Sequence, residues 1–386
     1  MKRGASPGKV FLMFWQKDIE TMPRADLEAL QLERLKRIVR YVYERVPFYR
    51  KRLDDAGVNP DKIKALSDIQ YIPYTTKADI RDTYPFGLFA VPQKEIVRIH
   101  ASSGTTGNPT VVGYTKNDLE NWSECVARLV TAAGATSDDI VQIAFGYGLF
   151  TGALGLHYGL EKVGATVVPT STGNTEKQLK LMRDFGTSAL VATPSYALYI
   201  AETARDLGID CRDLKVRLGL FGSEGCSIEM RSKVEEAWNL FATDNYGMSE
   251  LMGPGVSGEC RYRCGMHFAE DHFLPEIIDP QTGEVKPRGE EGELVVTTLT
   301  KEGIPLLRYR TKDITRIHYE QCECGRTHAR MDKPLGRSDD MLKIKGVNVF
   351  PTQIESVLVS IPEVGPQYQI VLGQKNYMDT FEINIE

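Results

Sequence analysis

Apolar residues recur along this chain with two different periods. Between residues 25 and 53, Leu27, Leu30, Leu35, Ile38, Val42 and Val46 fall near the helical repeat with charges between them, which predicts one amphipathic helix covering a sheet. From about 117 to 250 the texture changes: the apolar runs IVQIAFG, ATVVPT, SALVATP, VRLGLFG and LFATDNYG alternate with helix-like segments. That alternation predicts an α/β fold of parallel strands joined by crossover helices. Ligands on such sheets gather at the carboxyl ends of strands, where FGSEG (221–225) and YGMSE (246–250) fall. Between 272 and 318 the pattern is strand-rich with the turn signals PQTGE and PRGEEGE, predicting a small β subdomain. A further break comes at GRSDD, 336–340. The expected organisation is a large N-terminal domain over 1–335, its β subdomain at about 255–335, and a separate segment over 336–386.

Composition narrows the function classes. The 386 residues are 42% hydrophobic, ample for a large core and more than one domain. A formal net charge of −5 offers no basic field for a polyanion, so nucleic acid is not the expected partner and a small substrate is. The early apolar run VFLMFW is too short for a signal peptide and has no cleavage site after it, and no run approaches membrane-spanning length. Seven cysteines without a secretory signal suggest a reducing, cytoplasmic setting, with no membrane partner. Cys125, Cys211 and Cys226 stand alone and read as packing residues.

The stretch HASSGTTGNPTVVGYT, 100–115, is the first candidate for chemistry. Gly104 and Gly107 would let the backbone approach a phosphate, while Ser102, Ser103, Thr105 and Thr106 offer hydroxyl donors. The same composition also suits an ordinary polar turn. No Gly-Lys-Ser/Thr closes the loop, so it is not a Walker loop. The charge of a triphosphate would then be offset by a metal and by groups elsewhere. Glu250 is a hard carboxylate suited to Mg²⁺, or else a helix-start carboxylate. Asp313 and Arg337 fit either a nucleotide site or a plain surface ion pair.

SSGTTG, YGMSE, YRTKD (309–313) and GRSDDMLKIKG (336–346) stand in the order found in the acyl-adenylate-forming superfamily, which this chain resembles. Within it, SSGTTGNPTVVGYT, EDHFLPEIIDPQTGE, LTKEGIPLLRYRTKD and GRSDDMLKIKGVNVFPTQIE resemble the phenylacetate-coenzyme A ligases over essentially the whole chain. The resemblance implies an acid–thiol ligase. A carboxylate attacks the α-phosphorus of ATP to give acyl-AMP and pyrophosphate, and the thiol of coenzyme A then displaces AMP. It implies that Ser102, Ser103, Gly104, Thr105, Thr106 and Gly107 cradle the β- and γ-phosphates. Glu250 would hold Mg²⁺, with Thr105 and Glu250 the catalytic pair. Thr243 to Ser249, and so Asn245, Tyr246, Gly247, Met248 and Ser249, would line the α-phosphate and adenine edge, which Ser223 and Glu224 would border. Asp313, a pure acceptor when ionised, would bind both ribose hydroxyls, with Arg337 beside it.

For the acyl pocket the candidates are Phe145, Tyr147, Phe150, Gly152 and Ala153 with Pro194 and Tyr196, aromatic faces beside small residues that leave space for a ring; each is equally a core residue. An aryl acid, phenylacetate above others, is the substrate the family implies. The resemblance makes 336–386 the start of a small, mobile α+β C-terminal domain: GRSDD matches the family's hinge at Asp339, about which that domain rotates between the two half-reactions, with Lys343 and Lys345 on the hairpin that follows. Family members carry a transition-state lysine near their C-terminus with no counterpart before Glu386, so the expectation is a chain that binds ATP and adenylates poorly. Family habit makes a homodimer the expected assembly.

ECRYRCGMH and CECGRTH supply a second signal. Two such knuckles can surround one tetrahedral Zn²⁺, and Cys260, Cys264, His267, Cys322, Cys324 and His328 are more candidates than four positions need. Relatives with similar knuckles point to Cys260, His267, Cys322 and Cys324, with Cys264 and His328 as alternates. A shell closed by four protein ligands would be structural. Two other classes stay open: an adenylyltransferase making an AMP adduct of a deazaflavin-type cofactor, and a non-catalytic nucleotide-binding protein.

Overall fold

A computed structural model describes residues 13–102, 108–340, 342–344, 347–361, 364, 368–375 and 378–385. The amphipathic stretch forms two helices, Arg24–Arg45 and Pro47–Asp55, where one was expected. Pro47 begins the second, and Val46 before it is extended at φ −116°, ψ 105°, because the proline ring disfavours helical backbone in the residue it follows. Leu27, Leu35, Ile38, Val42 and Val46 are buried, and Leu30 is half-buried. Gln31 on the same face is fully buried and satisfied, its Nε2 donating to the Glu270 carbonyl at 2.9 Å.

The strand–helix alternation folds as its pattern predicts. Five parallel strands lie in the spatial order Thr166–Val168, Ile140–Ile143, Ala189–Ala192, Leu218–Phe221 and Phe241–Met248. The crossovers are the helices Gly152–Val163, Thr175–Phe185, Pro194–Asp206 and Ile228–Trp238. Every residue of Ala189–Ala192 and Leu218–Phe221 is buried, the all-apolar signature of strands covered on both faces.

The sheet continues past the parallel strands. Phe241–Met248 pairs antiparallel with Gly253–Glu259, and the order runs on through Met266–Phe268, Arg330–Met331, Tyr309–His318, Glu291–Thr298 and Phe273–Ile278. The strand-rich texture of 272–318 therefore supplies three strands, Phe273–Ile278, Glu291–Thr298 and Tyr309–His318, to the antiparallel half of one continuous mixed sheet. Where the two halves meet, the register shifts between Tyr246 and Gly247. A Cβ on Gly247 would stand 1.8 Å from the Gly253 carbonyl oxygen, so the close approach of these strands admits only glycine.

Beside the sheet, Arg98–Ala101 and Val111–Tyr114 form an antiparallel hairpin. Tyr114 stacks on Trp122 with ring centroids 5.0 Å apart. After residue 336 come the paired strands Leu342–Ile344 and Val347–Val349, the helix Pro351–Val359, and the hairpin Tyr368–Lys375 with Met378–Ile385. Lys343 pairs with Asn348 in this segment, and Lys345 lies outside the described residues. Cys125, Cys211 and Cys226 are buried, and burial pushes the Cys211 and Cys226 thiols up to about 12. No helix among the described residues is long and apolar enough to cross a membrane.

Candidate active site

The carboxyl ends of the parallel strands Leu218–Phe221 and Phe241–Met248 carry Ser223, Glu224 and Asn245 to Ser249, whereas Ser102 follows the separate hairpin strand Arg98–Ala101 and Asp313 and Arg337 lie on antiparallel strands. Ser102 ties off the base of the glycine-rich loop: its N–H donates to the Thr110 carbonyl and its Oγ accepts from the Thr110 N–H, both at 3.0 Å. Ser103, Gly104, Thr105, Thr106 and Gly107 lie outside the described residues. Asn245 Nδ2 donates to the Phe221 carbonyl at 2.5 Å, clamping two neighbouring strand ends together. Thr243 is buried and spends its hydroxyl on the Gly219 carbonyl at 3.1 Å, so it faces the sheet interior.

Tyr246 OH donates to Asp313 Oδ2 at 2.5 Å. Asp313 is 8% exposed, so it is more than a surface charge. Burial pushes its carboxyl above the usual range, against the opposing pull of the Tyr246 hydrogen bond and the Arg337 charge. Asp313 and Arg337 are register partners across adjacent strands, with Arg337 Nη1 3.7 Å from Asp313 Oδ1. The same guanidinium donates from Nε and Nη2 to the exposed Asp339 at 2.9 and 2.8 Å. One arginine thus bridges the buried carboxylate and the hinge candidate.

Glu250 stands in the turn between the strands ending at Met248 and beginning at Gly253, so it is no helix-start residue. It is buried and faces Lys77 Nζ at 3.5 Å. Beneath the turn, Lys301 is 1% exposed and donates to the Glu250 and Leu251 carbonyls at 3.1 and 2.7 Å. Its ammonium lies 4.9 Å from the Tyr114 ring centroid, and burial pulls it down to about 8. Ser249 Oγ is 3.1 Å from Thr151 Oγ1, which stands at the entry to the helix Gly152–Val163. Ser223, at φ 71°, places its Oγ 3.7 Å from the position a Cβ on Gly152 would take. Glu224 is turned to the start of another helix, accepting from Ser195 N–H at 2.7 Å and Ser195 Oγ at 3.0 Å. Met248 is half-buried against the main core.

The acyl-pocket candidates do not form one group. Gly152 joins Ser223, and Thr151 joins Ser249, at the strand ends. Phe145 and Ala153 are buried in the core, and Phe150 is 56% exposed. The Tyr147 hydroxyl lies 3.0 Å from His157 Nδ1. Pro194 is buried at the start of its helix. Tyr196 OH accepts from Gly173 N–H and Gln178 Nε2, both at 3.0 Å, so its polar end belongs to the 173–178 loop.

Cys260, His267, Cys322 and Cys324 are all buried, and their ligand atoms lie within 4.8 Å of one another. Strand pairing does this: Arg330 is opposite His267, so the turn carrying Cys322 and Cys324 folds over the hairpin carrying Cys260 and His267. His267 turns Nδ1 to the His328 carbonyl at 3.3 Å and Nε2 to Cys324 Sγ at 3.4 Å, the orientation a metal-binding imidazole takes. The alternates part company. His328 spends Nδ1 on the Phe268 carbonyl at 2.9 Å and Nε2 on the Ile19 carbonyl at 3.0 Å. Cys264 is exposed, yet its Sγ lies 3.2 Å from Cys322 Sγ.

Family comparisons agree with this geometry. Residues 14–300 match the model of the AMP-binding enzymes, and 346–386 match the AMP-binding enzyme C-terminal domain. The chain is 55% identical to a phenylacetate-coenzyme A ligase of Thermus thermophilus, covering 97% of this chain and 84% of the relative. The chain belongs to the phenylacetate-coenzyme A ligase family. The Escherichia coli (strain K12) phenylacetate-coenzyme A ligase is 50% identical over 95% of this chain and 84% of its own length. As a member of this family the chain is an acid–thiol ligase, and the adenylyl-adduct reading is not favoured. Among solved structures, 2-hydroxyisobutyryl-CoA ligase in the postadenylation state matches with a TM-score of 0.91 at 28% identity, covering 100% of this chain and 83% of that one. The same ligase in its thioesterification state matches at 0.83.

Sequence reasoning missed Lys77, Thr151 and Lys301. Lys77 reads as the first residue of a helix whose capping box, Thr76 with Asp79, accounts for the local polarity. Lys301 sits among turn-like residues, where a lysine ordinarily faces water.

Proposed function

We propose that this ligase activates phenylacetate with ATP and transfers the acyl group to coenzyme A. The observation that carries the reading is the buried Asp313 carboxylate held by Tyr246 and faced by Arg337, at the edge of the strand ends that also bear Glu250. A carboxylate accepts two hydroxyl hydrogen bonds at once, so Asp313 suits a ribose diol, with Arg337 beside the ribose or phosphate. Ser102, Ser103, Gly104, Thr105, Thr106 and Gly107 cradle the β- and γ-phosphates. Ser223, Glu224 and Asn245 to Ser249 border the adenine and α-phosphate. Gly152 and Thr151 lead towards the acyl pocket. The names of the relatives at 50% and 55% identity support phenylacetate over other acids.

The chemistry asks this chain to position two reactants and to stabilise charge. In the first half-reaction the carboxylate oxygen attacks the α-phosphorus and pyrophosphate leaves, so the adenylyl group passes to the acid through a phosphorus centre whose charge, spread over its oxygens, the hydroxyl and amide donors of the loop would offset. A bound Mg²⁺ would screen the phosphate charges. Glu250 would hold it: the carboxylate is a hard ligand at the strand ends, and the Lys77 ammonium 3.5 Å away marks it as a carboxylate poised for a cation. The second half-reaction requires the thiol of coenzyme A to reach the acyl carbonyl, and rotation about Asp339 exchanges the faces. Release of the Arg337–Asp339 contact would accompany that rotation.

The three thiols and one imidazole of Cys260, His267, Cys322 and Cys324 fit Zn²⁺ in number, softness and burial. We assign them a structural zinc that fastens the 260–267 hairpin to the 322–324 turn. We further read the domain boundary at residue 336, a cytoplasmic setting and a homodimer. The test is to incubate the full-length protein with MgATP, coenzyme A and a panel of phenylacetate, benzoate, indoleacetate and short fatty acids, with products read by mass spectrometry. Phenylacetyl-coenzyme A and AMP as dominant products support the reading; a preference for another acid overturns the substrate assignment.

A further inference from the structure

Resting on the zinc reading above, we propose that Cys264 and Cys322 form a peroxide-sensitive dithiol that opens the metal shell when oxidised. Cys260, His267, Cys322 and Cys324 form a mutually close, buried set, and Cys264 stands outside it. Yet Cys264 touches it: its Sγ is 3.2 Å from Cys322 Sγ, closer than the 3.8 Å between Cys260 and Cys322. It is also the member of the knuckles that solvent reaches, being exposed where the four others are buried. An oxidant meets Cys264 first, and the resolving sulfur is already in place. The two knuckles are separate in the chain and meet through strand pairing, so the S–S bond would link Cys264 to a residue 58 positions away.

The chemistry balances with hydrogen peroxide as oxidant. Oxygen transfer to the Cys264 thiol gives a sulfenic acid and releases one water. The Cys322 thiolate attacks that sulfur, the S–S bond forms, and the departing hydroxide takes up a proton as a second water. The two sulfurs together lose the two electrons that the peroxide gains. Cys322 in a disulfide no longer serves as a thiolate ligand, so the metal keeps three of its four ligands and binds more weakly. A dithiol reductant reverses the bond by exchange. Cys264 is thus a modification site, and its consequence is loss of the tie between the 260–267 hairpin and the 322–324 turn.

The experiment uses reduced, zinc-loaded, full-length protein titrated with hydrogen peroxide. Metal release is followed with a chromophoric chelator, and cross-links are mapped by peptide mass spectrometry. The expected result is metal release together with a Cys264–Cys322 cross-link, both reversed by dithiothreitol and added zinc. Cys264→Ser should hold the same zinc and release it about tenfold more slowly or not at all. Equal release rates in the two proteins, a cross-link between other cysteines, or loss of zinc from unoxidised Cys264→Ser would overturn the switch and leave a zinc site standing. Reduced protein that takes up no zinc would overturn the zinc reading and the switch with it. A thermal unfolding midpoint for Cys264→Ser matching the parent confirms that the comparison is between folded proteins.

Discussion

The phenol of Tyr246 donates to the carboxylate of Asp313 at 2.5 Å, joining the end of a parallel strand to an antiparallel strand 67 residues later. This bond crosses the point where the sheet changes sense, and it aims an acceptor at the strand ends. Asp313→Asn keeps the shape and replaces one acceptor oxygen by a donor, so kcat/KM for ATP should fall by roughly 100-fold or more with little change in unfolding temperature. Burial raises the Asp313 carboxyl, while Tyr246 and Arg337 hold it down. If Asp313 binds the ribose as proposed, it does so in its ionised form, and activity should fail on the acid side as that carboxyl takes up its proton. Arg337→Gln removes the positive charge and should move this acid limb to higher pH. An acid limb that stays in place would show that another group governs it.

Glu250 and Lys301 form a second relationship, in which a buried ammonium fixes the turn that presents a carboxylate. Glu250→Gln should raise the Mg²⁺ concentration needed for half-maximal adenylation and lower kcat by about 100-fold, measured as pyrophosphate exchange. Lys301→Met leaves two buried carbonyls without their donor and should cost about 2–4 kcal/mol of stability in a denaturant titration. A Lys301→Met protein as stable as its parent would mean that water replaces the ammonium.

At Gly247 the prediction is steric. A methyl group placed 1.8 Å from the Gly253 oxygen forces two paired strands apart at the junction of the sheet. Gly247→Ala should destabilise by about 3 kcal/mol or more, and soluble yield together with thermal unfolding would reveal it. Near-parental stability would show that the bulge can absorb a side chain.

The EDHF segment holds a buried ionic cluster whose pH dependence has a definite sign. Arg128 chelates Asp271 at 2.6 and 3.0 Å, and His272 Nε2 lies 3.2 Å from the same carboxylate. Burial opposes charge on Asp271, but the His272 and Arg128 charges hold its carboxyl well below the usual range. Burial likewise opposes the charged imidazole of His272, yet Cys125 and Asp271 push it up to about 9. For Asp271 the stabilisation is present above the ordinary aspartate value and is lost as pH falls. For His272 it is complete below about 6.5, its unfolded value, and is lost as pH rises through the folded value. Stability should therefore decline from neutral pH towards pH 9, by at most about 3 kcal/mol from this group, and His272→Gln should flatten that slope. An unchanged slope in the variant would assign the alkaline loss elsewhere.

Much of this molecule was legible in local pattern. Short apolar runs alternating with helical segments specify parallel strands and crossovers, because strands covered on both faces must be apolar throughout. The glycine- and hydroxyl-rich loop, YGMSE, YRTKD and GRSDD follow one another in the order found in the acyl-adenylate-forming superfamily, which is why the family was visible before the fold. Even the missed helix break was written locally, in the proline at 47 and its effect on Val46.

What lay beyond the sequence was decided by long-range pairing. The resemblance singled out Cys260, His267, Cys322 and Cys324 among the four cysteines and two histidines of the knuckles, and the register that sets Arg330 opposite His267 is what gathers them, leaves His328 to two carbonyls and puts Cys264 at the rim. Tyr196 and Tyr147 look alike as pocket aromatics, and tertiary hydrogen bonds turn each towards its own neighbour. Lys301 reads as a surface lysine until the fold buries it beneath the Glu250 turn. Chain composition determines which chemistries are available, because these belong to the side chains themselves. Which atoms meet depends on backbone pairing between segments tens of residues apart, and that information exists only once the chain has closed its sheet.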